Sequence, residues 1–275
     1  MAVSIAASTL LAANARLCIA PLPKVASTLL KRVAVLADGR EPATATAFGE
    51  TRPALVIHRA EVHGLPCLAD LNQEQQEHWL GDAHALRLAV TRHPAERLLS
   101  FWHDKLHLAD PAYAPLNASV QAARQRSVDE PCRFADFLSY LSDHWELLKT
   151  DGHLRPQSEW LGEAPRFERL DRDELVKRLP RLLQPLVPAA TLGRIKDELA
   201  TYDKQYRQRL GKRWEDAYSK DGLQLVESLY GDDLKLYAYT MPRRRSDKVR
   251  PLAGVDTDAL VDSVQQLRER YLLLT

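Results

Sequence analysis

Residues 18–36 read Cys18-Ile19-Ala20-Pro21-Leu22-Pro23-Lys24-Val25-Ala26-Ser27-Thr28-Leu29-Leu30-Lys31-Arg32-Val33-Ala34-Val35-Leu36, and their pattern decides the fold class. Leu17–Ala20 is a short apolar run that ends at Pro21 and Pro23, as a buried strand feeding a loop does. From Ser27 to Ala37 the residues Leu29, Leu30, Val33 and Leu36 recur at helical spacing, and Asp38-Gly39 closes the run. A strand, a turn bearing a lysine and a helix opened by two hydroxyls make an anion cradle. The first N–H groups of the helix point outward, the helix dipole adds partial positive charge, Ser27 and Thr28 can donate to anionic oxygens, and Lys24 supplies a compact full charge. The bland reading of the same residues is a helix capped by Ser27 beside a solvated Lys24. No glycine lies between Arg16 and Lys31, so the glycine-rich triphosphate loop G-x-x-x-x-G-K-[ST] is not met.

A second strand-to-helix turn follows at Leu86–Thr91, then Arg92-His93-Pro94-Ala95-Glu96-Arg97-Leu98-Leu99-Ser100. Pro94 suits the first position of a helix, and Leu98, Leu99, Trp102 and Leu106 form one face of it. Arg92 stands at the strand tip, and Arg97 and Ser100, three apart, share a helix face. The planar fork of Arg92 together with Ser100 could hold one phosphate monoester. Arg97 also reads as an ordinary solvated charge.

Ala54–Ile57 is a further strand candidate and Gln73–Leu80 a polar helix; Ala109–Asn117, with two prolines, reads as a loop. Beyond Phe134 the pattern is mainly helical, over Phe134–Leu148, Arg172–Leu183, Leu192–Leu210, Leu223–Tyr230 and Thr257–Leu273, with Gly152–Pro156 as an interruption. Leu234–Tyr239 is a candidate last strand, and Met241–Arg250 a basic loop. Strands alternating with helices over the first 110 or so residues predict an α/β fold with a central parallel sheet and a mainly helical C-terminal half. Ligands of such sheets sit at the carboxyl ends of the strands, where both motifs fall.

Bulk composition narrows the function classes. The 275 residues are 45% hydrophobic and 27% charged, which suits a globular protein and argues against disorder. A net charge of +1 gives no support to a nucleic-acid partner, so an anion site must be local. Three widely spaced cysteines, Cys18, Cys67 and Cys132, suit reduced thiols in a cytoplasmic protein rather than a disulfide framework or a zinc site. The N-terminal apolar stretch is short, broken by Ser and Asn, and has no basic residue before it. It reads as a leader into the first strand, neither a transmembrane segment nor an export signal.

The two motifs, taken in order, resemble the family 2 (carbohydrate-type) sulfotransferases, and the resemblance spans roughly residues 16–240. Those enzymes carry P-K-x-x-x-[ST] for a 5′-phosphosulfate and R-x-P-x-x-R-L-x-S for a 3′-phosphate. Later echoes are Phe134–Leu141, Asp151-Gly152-His153-Leu154-Arg155-Pro156, Phe167–Leu175 and Tyr230–Tyr239. The family usually has an acidic residue where His93 stands and Trp where Leu154 stands, and the cysteines that follow that Trp are replaced in Leu161–Pro165. The resemblance implies a single P-loop-like, three-layer domain, with a nucleotide-binding core over about residues 16–110 and a helical acceptor side over about 111–275. It implies 3′-phosphoadenosine 5′-phosphosulfate (PAPS) as donor, without a metal, and a hydroxyl acceptor, carbohydrate being the family's usual class.

On that reading Lys24, Val25, Ala26, Ser27 and Thr28 bind the phosphosulfate, and Arg92, Arg97 and Ser100 the 3′-phosphate. Lys24 also stabilises the leaving oxygen. His153 is the first candidate for the general base, with His58, Glu61 and His63 as the alternative cluster. Arg243–Arg250 reads as a solvated loop or as a flap, and Trp102, Trp145 and Trp160 as core or as stacking platforms. A nucleotide or small-molecule kinase and a non-catalytic phosphate-binding module are the competing classes.

Overall fold

The computed structural model describes residues 8–42, 57–162, 167–205 and 214–242. The basic run Arg243–Arg250 and the helix expected at Thr257–Leu273 lie outside the described residues. So does all of the expected Ala54–Ile57 strand except Ile57, which sits in a helical turn. In chain order the main elements are β1 (Leu10–Ala12), β2 (Leu17–Ala20), α1 (Ser27–Ala37), α2 (Gln73–Gly81), β3 (Leu86–Thr91), α3 (Pro94–Trp102) and α4 (Ala114–Ala123). They continue with α5 (Phe134–Asp143), β4 (Glu168–Asp171), α6 (Leu175–Leu183), α7 (Ala189–Gln205), α8 (Lys220–Leu229) and α9 (Gly231–Leu236). The chain divides into two compact units, Met1–Arg92 with Gln157–Arg207, and His93–Pro156 with Gln208–Thr275.

The first unit is an α/β layer. Its sheet runs β1-β2-β3-β4, with β1 antiparallel to β2 and the other two pairings parallel. Parallel strands need both faces covered, and the four residues of β2 are fully buried. On one face Leu11 and Cys18, partners in register, pack with Leu68, Leu71 and the α2 residues Trp79 and Leu80. Helix α1 packs against β1, β2 and α7. The α1–α7 seam is held by a fork in which Arg32 Nε and Nη2 donate to the two carboxylate oxygens of Glu198 at 2.8 and 2.6 Å. Register places Ala20 beside Ala89, so the chain leaves β2 and β3 at the same edge of the sheet.

The second unit is helical. Its core gathers Phe101 and Trp102 of α3, Phe137 and Leu141 of α5, Val226 of α8, and Tyr218 and Tyr230. Helix α3 runs on through a π-helical turn, His103–His107, which keeps Leu106 buried.

Three local expectations are corrected. The N-terminal leader contains a strand, β1, too short to announce itself. The 109–117 region is helical, because Pro111 and Pro115 stand in the first turns of a 3₁₀ turn and of α4, where a missing N–H costs nothing. Leu234–Tyr239 is not a strand. Asp232 and Asp233 sit in the first turn of α9, where carboxylates complement the helix dipole. By contrast β2, α1 and β3 fall where the apolar patterns put them.

Removing the charge of the fork tests the α1–α7 seam. Glu198→Gln should lower stability by about 1–3 kcal/mol in urea unfolding, with little added loss on combination with Arg32→Met. Strict additivity would show that the fork does not hold α1.

Candidate active site

In the first unit the loop after β2 is tightly wound. Leu22 N–H donates to Ala20 at 3.0 Å and Val25 N–H to Leu22 at 3.3 Å. Lys24 and Ala26 have φ of 63° and 57°, left-handed values that cost a non-glycine residue about 1–2 kcal/mol each. Ala26, not Ser27, is the N-cap of α1, and no side chain caps the helix. The capping reading of Ser27 is therefore set aside. No side chain caps the first turn of this eleven-residue helix, which lies beside a half-buried Lys24 and carries two hydroxyls, that of Thr28 facing His58.

The second motif meets this loop within the same unit. Arg92, at the tip of β3 and 5% exposed, donates from Nη1 to the carbonyl of Lys24 at 3.1 Å. Its own backbone is clamped by Gln157. The Arg92 N–H donates to Oε1 at 2.9 Å and Gln157 Nε2 donates to the Arg92 carbonyl at 2.8 Å. Gln157 is fully buried, and sequence reasoning missed it. The only signal was its place directly after the H-x-x-P stretch. From β4, Arg169 Nη1 donates to Thr91 Oγ1 at 3.2 Å, another cation that no motif announced.

The alternative histidine cluster is divided. His58 is exposed, with Nε2 at 2.9 Å from Thr28 Oγ1. His63 is buried, and its Nδ1 accepts from the Leu65 N–H at 3.1 Å, which is a turn-forming role. The Glu61 side chain lies outside the described residues.

In the second unit α3 begins at Pro94 behind His93, whose Nδ1 accepts from the Ala95 N–H at 3.2 Å. His93 thus performs the N-cap work that an acidic residue would do, and its ring lies against Trp214 and Tyr239. Arg97 and Ser100 are 2% and 3% exposed, so the solvated reading of Arg97 fails. His153 lies in a turn built by Asp151, whose Oδ1 accepts from the N–H groups of His153 at 2.6 Å and Leu154 at 3.3 Å. Tyr230, from the closing motif, donates its hydroxyl to the Leu154 carbonyl at 2.8 Å and so ties down the same turn. The Tyr113 hydroxyl is 2.8 Å from His153 Nδ1. Burial, and then the charge of Asp151, raise the Tyr113 phenol well above its usual range. Burial works to raise Asp151, but hydrogen bonds from the side chain and backbone of His153 and from Tyr113 outweigh it and keep the carboxyl below its ordinary value.

Trp102 and Trp160 are buried, whereas Trp145 is 52% exposed with Lys149 Nζ 4.7 Å from its ring centre. Burial pushes the thiols of Cys18 and Cys132 up to about 12, which makes them packing groups rather than nucleophiles. Among the described residues no group of three or more His, Cys, Asp or Glu gathers as metal ligands, and no helix is long and apolar enough to cross a membrane.

A model of the Sulfotransferase family, family 2, matches residues 9–240, which takes in both motifs, the His153 turn and the closing Tyr230 segment. The chain belongs to the sulfotransferase family. No curated protein and no solved structure gives a significant match. As a sulfotransferase it is an enzyme of sulfuryl transfer, in a family that draws on PAPS, and its four-stranded, mostly parallel sheet with flanking helices suits that fold.

The Gln157 clamp yields a test for this sulfotransferase. Gln157→Leu leaves the buried N–H and C=O of Arg92 without the amide, and should cost about 2–6 kcal/mol at about 1–3 kcal/mol per orphaned group. Calorimetry should show the lowered melting temperature, and titration with 3′,5′-adenosine bisphosphate a weakened Kd. An unchanged Kd in a destabilised variant would restrict Gln157 to a folding role.

Proposed function

We propose that this enzyme moves the sulfuryl group of PAPS to a hydroxyl of a carbohydrate or glycoconjugate. The observation that carries the reading is the bond from Arg92 Nη1 to the Lys24 carbonyl, which joins the two anion motifs at one sheet edge. An uncapped helix N-terminus, two left-handed backbone positions and adjacent hydroxyls fit a phosphosulfate group. PAPS, when bound, supplies the sulfuryl group and a phosphate leaving group.

In this assignment the loop residues Val25 and Ala26 and the hydroxyls of Ser27 and Thr28 hold the 5′-phosphosulfate. Lys24 neutralises charge growing on the leaving oxygen. Arg92, Arg97 and Ser100 take the 3′-phosphate, and the burial of all three supports strong, weakly screened interactions with an anion. His153 takes the proton of the acceptor hydroxyl, a role supported by its fixed turn and a ring about one-third exposed. No metal has a part in this assignment. The carbohydrate acceptor draws support from Trp145, an exposed aromatic face with a cation above it, which suits an acidic sugar. The two compact units act as one sulfotransferase domain, a reading supported by a family match that runs unbroken across their sequence boundaries. Placement in the cytoplasm, without a nucleic-acid partner, accords with free thiols and near-zero net charge.

Ligand-dependent melting tests the donor. At 100 times its Kd, 3′,5′-adenosine bisphosphate should add about 2.7 kcal/mol of stability. That gain should appear without divalent metal and exceed the gain from ATP; equal stabilisation by ATP, or dependence on Mg²⁺, would favour a kinase. Lys24→Ala should lower kcat by roughly 10²–10³, as measured by transfer of labelled sulfate in an acceptor screen. Full activity in that variant removes Lys24 from the mechanism.

A further inference from the structure

A trough between α6 and α7, within the first unit, has no part in the proposed transfer. It holds about 370 Å³, the size of a small-molecule site. Lys177 and Arg181, four residues apart on α6 and so on one face of it, line the trough together with Lys196 of α7. Apart from Gln184, the rest of the lining is apolar, and it includes Val176, which is 41% exposed.

Its charges set this trough apart. No carboxylate of the described residues lines it, and among those residues Lys177, Arg181 and Lys196 make no ion pair. Neighbouring arginines differ. Arg178, on the same helix, pairs with Glu174 at 2.8 Å and Glu168 at 2.9 Å, Arg194 pairs with Glu41, and Arg172 with Asp173. Asp197 follows Lys196 but stands about 100° round α7 and does not line the trough. Three cations facing one cavity without a counter-charge repel one another, and a ligand with several anionic groups relieves that repulsion. Arg181 adds a planar fork that matches the oxygens of a carboxylate, sulfate or phosphate.

We propose that this trough binds an oligosaccharide that already carries sulfate esters, the chemical class that the proposed reaction produces. This rests on the carbohydrate acceptor of the proposed function. A sugar ring offers an apolar C–H face with anionic groups at its edge, which matches apolar lining flanked by cations. A lipid surface fits less well. The apolar face of α6, formed by Leu175, Leu179 and Leu183, is buried in the core, and Val176 is the one exposed large apolar side chain of that helix. An acidic peptide helix needs a row of apolar anchors, and one exposed valine does not receive a row. The trough grips charge already on the chain; the choice of the hydroxyl that reacts belongs to the surroundings of the base.

Fluorescence anisotropy of a labelled, fully sulfated maltohexaose reads the binding. It is run on the full chain with saturating 3′,5′-adenosine bisphosphate, so that the donor site is filled. The probe should bind at least about tenfold more tightly than unsulfated maltohexaose, and its binding should weaken as salt rises. Arg181→Glu with Lys196→Glu should weaken it at least about tenfold, because each reversal turns an attraction into a repulsion. The milder pair Lys177→Gln with Arg181→Gln should weaken it about threefold. All three positions are exposed, so both variants should keep the wild-type melting temperature and the wild-type Kd for the bisphosphate. An unchanged probe Kd in either variant overturns the proposal. So does equal binding of the unsulfated sugar, or tighter binding of a polyglutamate of matched charge or of phosphatidylserine vesicles. The underlying reading fails separately: if the acceptor screen finds no sugar sulfated, the carbohydrate assignment falls, and the anisotropy still decides whether the trough holds the probe.

Discussion

The guanidinium of Arg92 does its structural work on a backbone atom, the carbonyl of Lys24. That bond needs three conditions at once. Strands β2 and β3 must be adjacent and parallel, so that their chains leave the sheet together. The loop after β2 must turn back sharply, which it does through two left-handed residues that are not glycine. Arg92 itself must be immobile, and the buried amide of Gln157 fixes both polar groups of its main chain. Strain of about 1–2 kcal/mol at each left-handed residue persists only where neighbours over-determine the conformation, and such strain gathers at functional sites.

Much of this half was legible because it depends on local spacing. Leu17–Ala20, Ser27–Ala37 and Leu86–Thr91 are set by uninterrupted apolar runs and a helical repeat, and the structure has the same three segments. What escaped had no local signal. Strand β4 reads Glu-Arg-Leu-Asp and buries only Leu170 fully, so no apolar run marks it. Gln157 is an uncharged polar residue 65 positions from the backbone it clamps. The two prolines of Ala109–Asn117, Pro111 and Pro115, suggest a loop because a sequence shows a proline without showing whether the chain after it is helical.

The second half depends on side chains gathered from distant positions. The turn carrying His153 is shaped by Asp151 from within, by Tyr230 from 76 residues further on and by Tyr113 from 40 residues before. The family-like closing segment thereby acquires a physical reason. Its first tyrosine is 2% exposed, and its hydroxyl satisfies a carbonyl that would otherwise be orphaned in the core. His93 offers a similar lesson. It departs from the family's acidic residue in charge but keeps the geometry, because an imidazole nitrogen can accept at a helix N-cap as a carboxylate does.

This difference explains why the donor could be read from the sequence and the acceptor could not. An anion is met by backbone N–H groups, a helix end and a few cations, and those are encoded by short motifs. An acceptor hydroxyl is met by the shape and hydrogen-bonding capacity of the pocket that receives it. Around His153, the proposed base, stand Tyr113 and Phe101, neither of which belongs to a motif with fixed spacing. The fixed features on that side suit the proton transfer proposed for His153: a partly buried carboxylate, a phenol kept protonated and an imidazole about one-third exposed. They are indifferent to which hydroxyl arrives. On the proposed assignment, selectivity resides in residues around the His153 turn rather than in the turn itself.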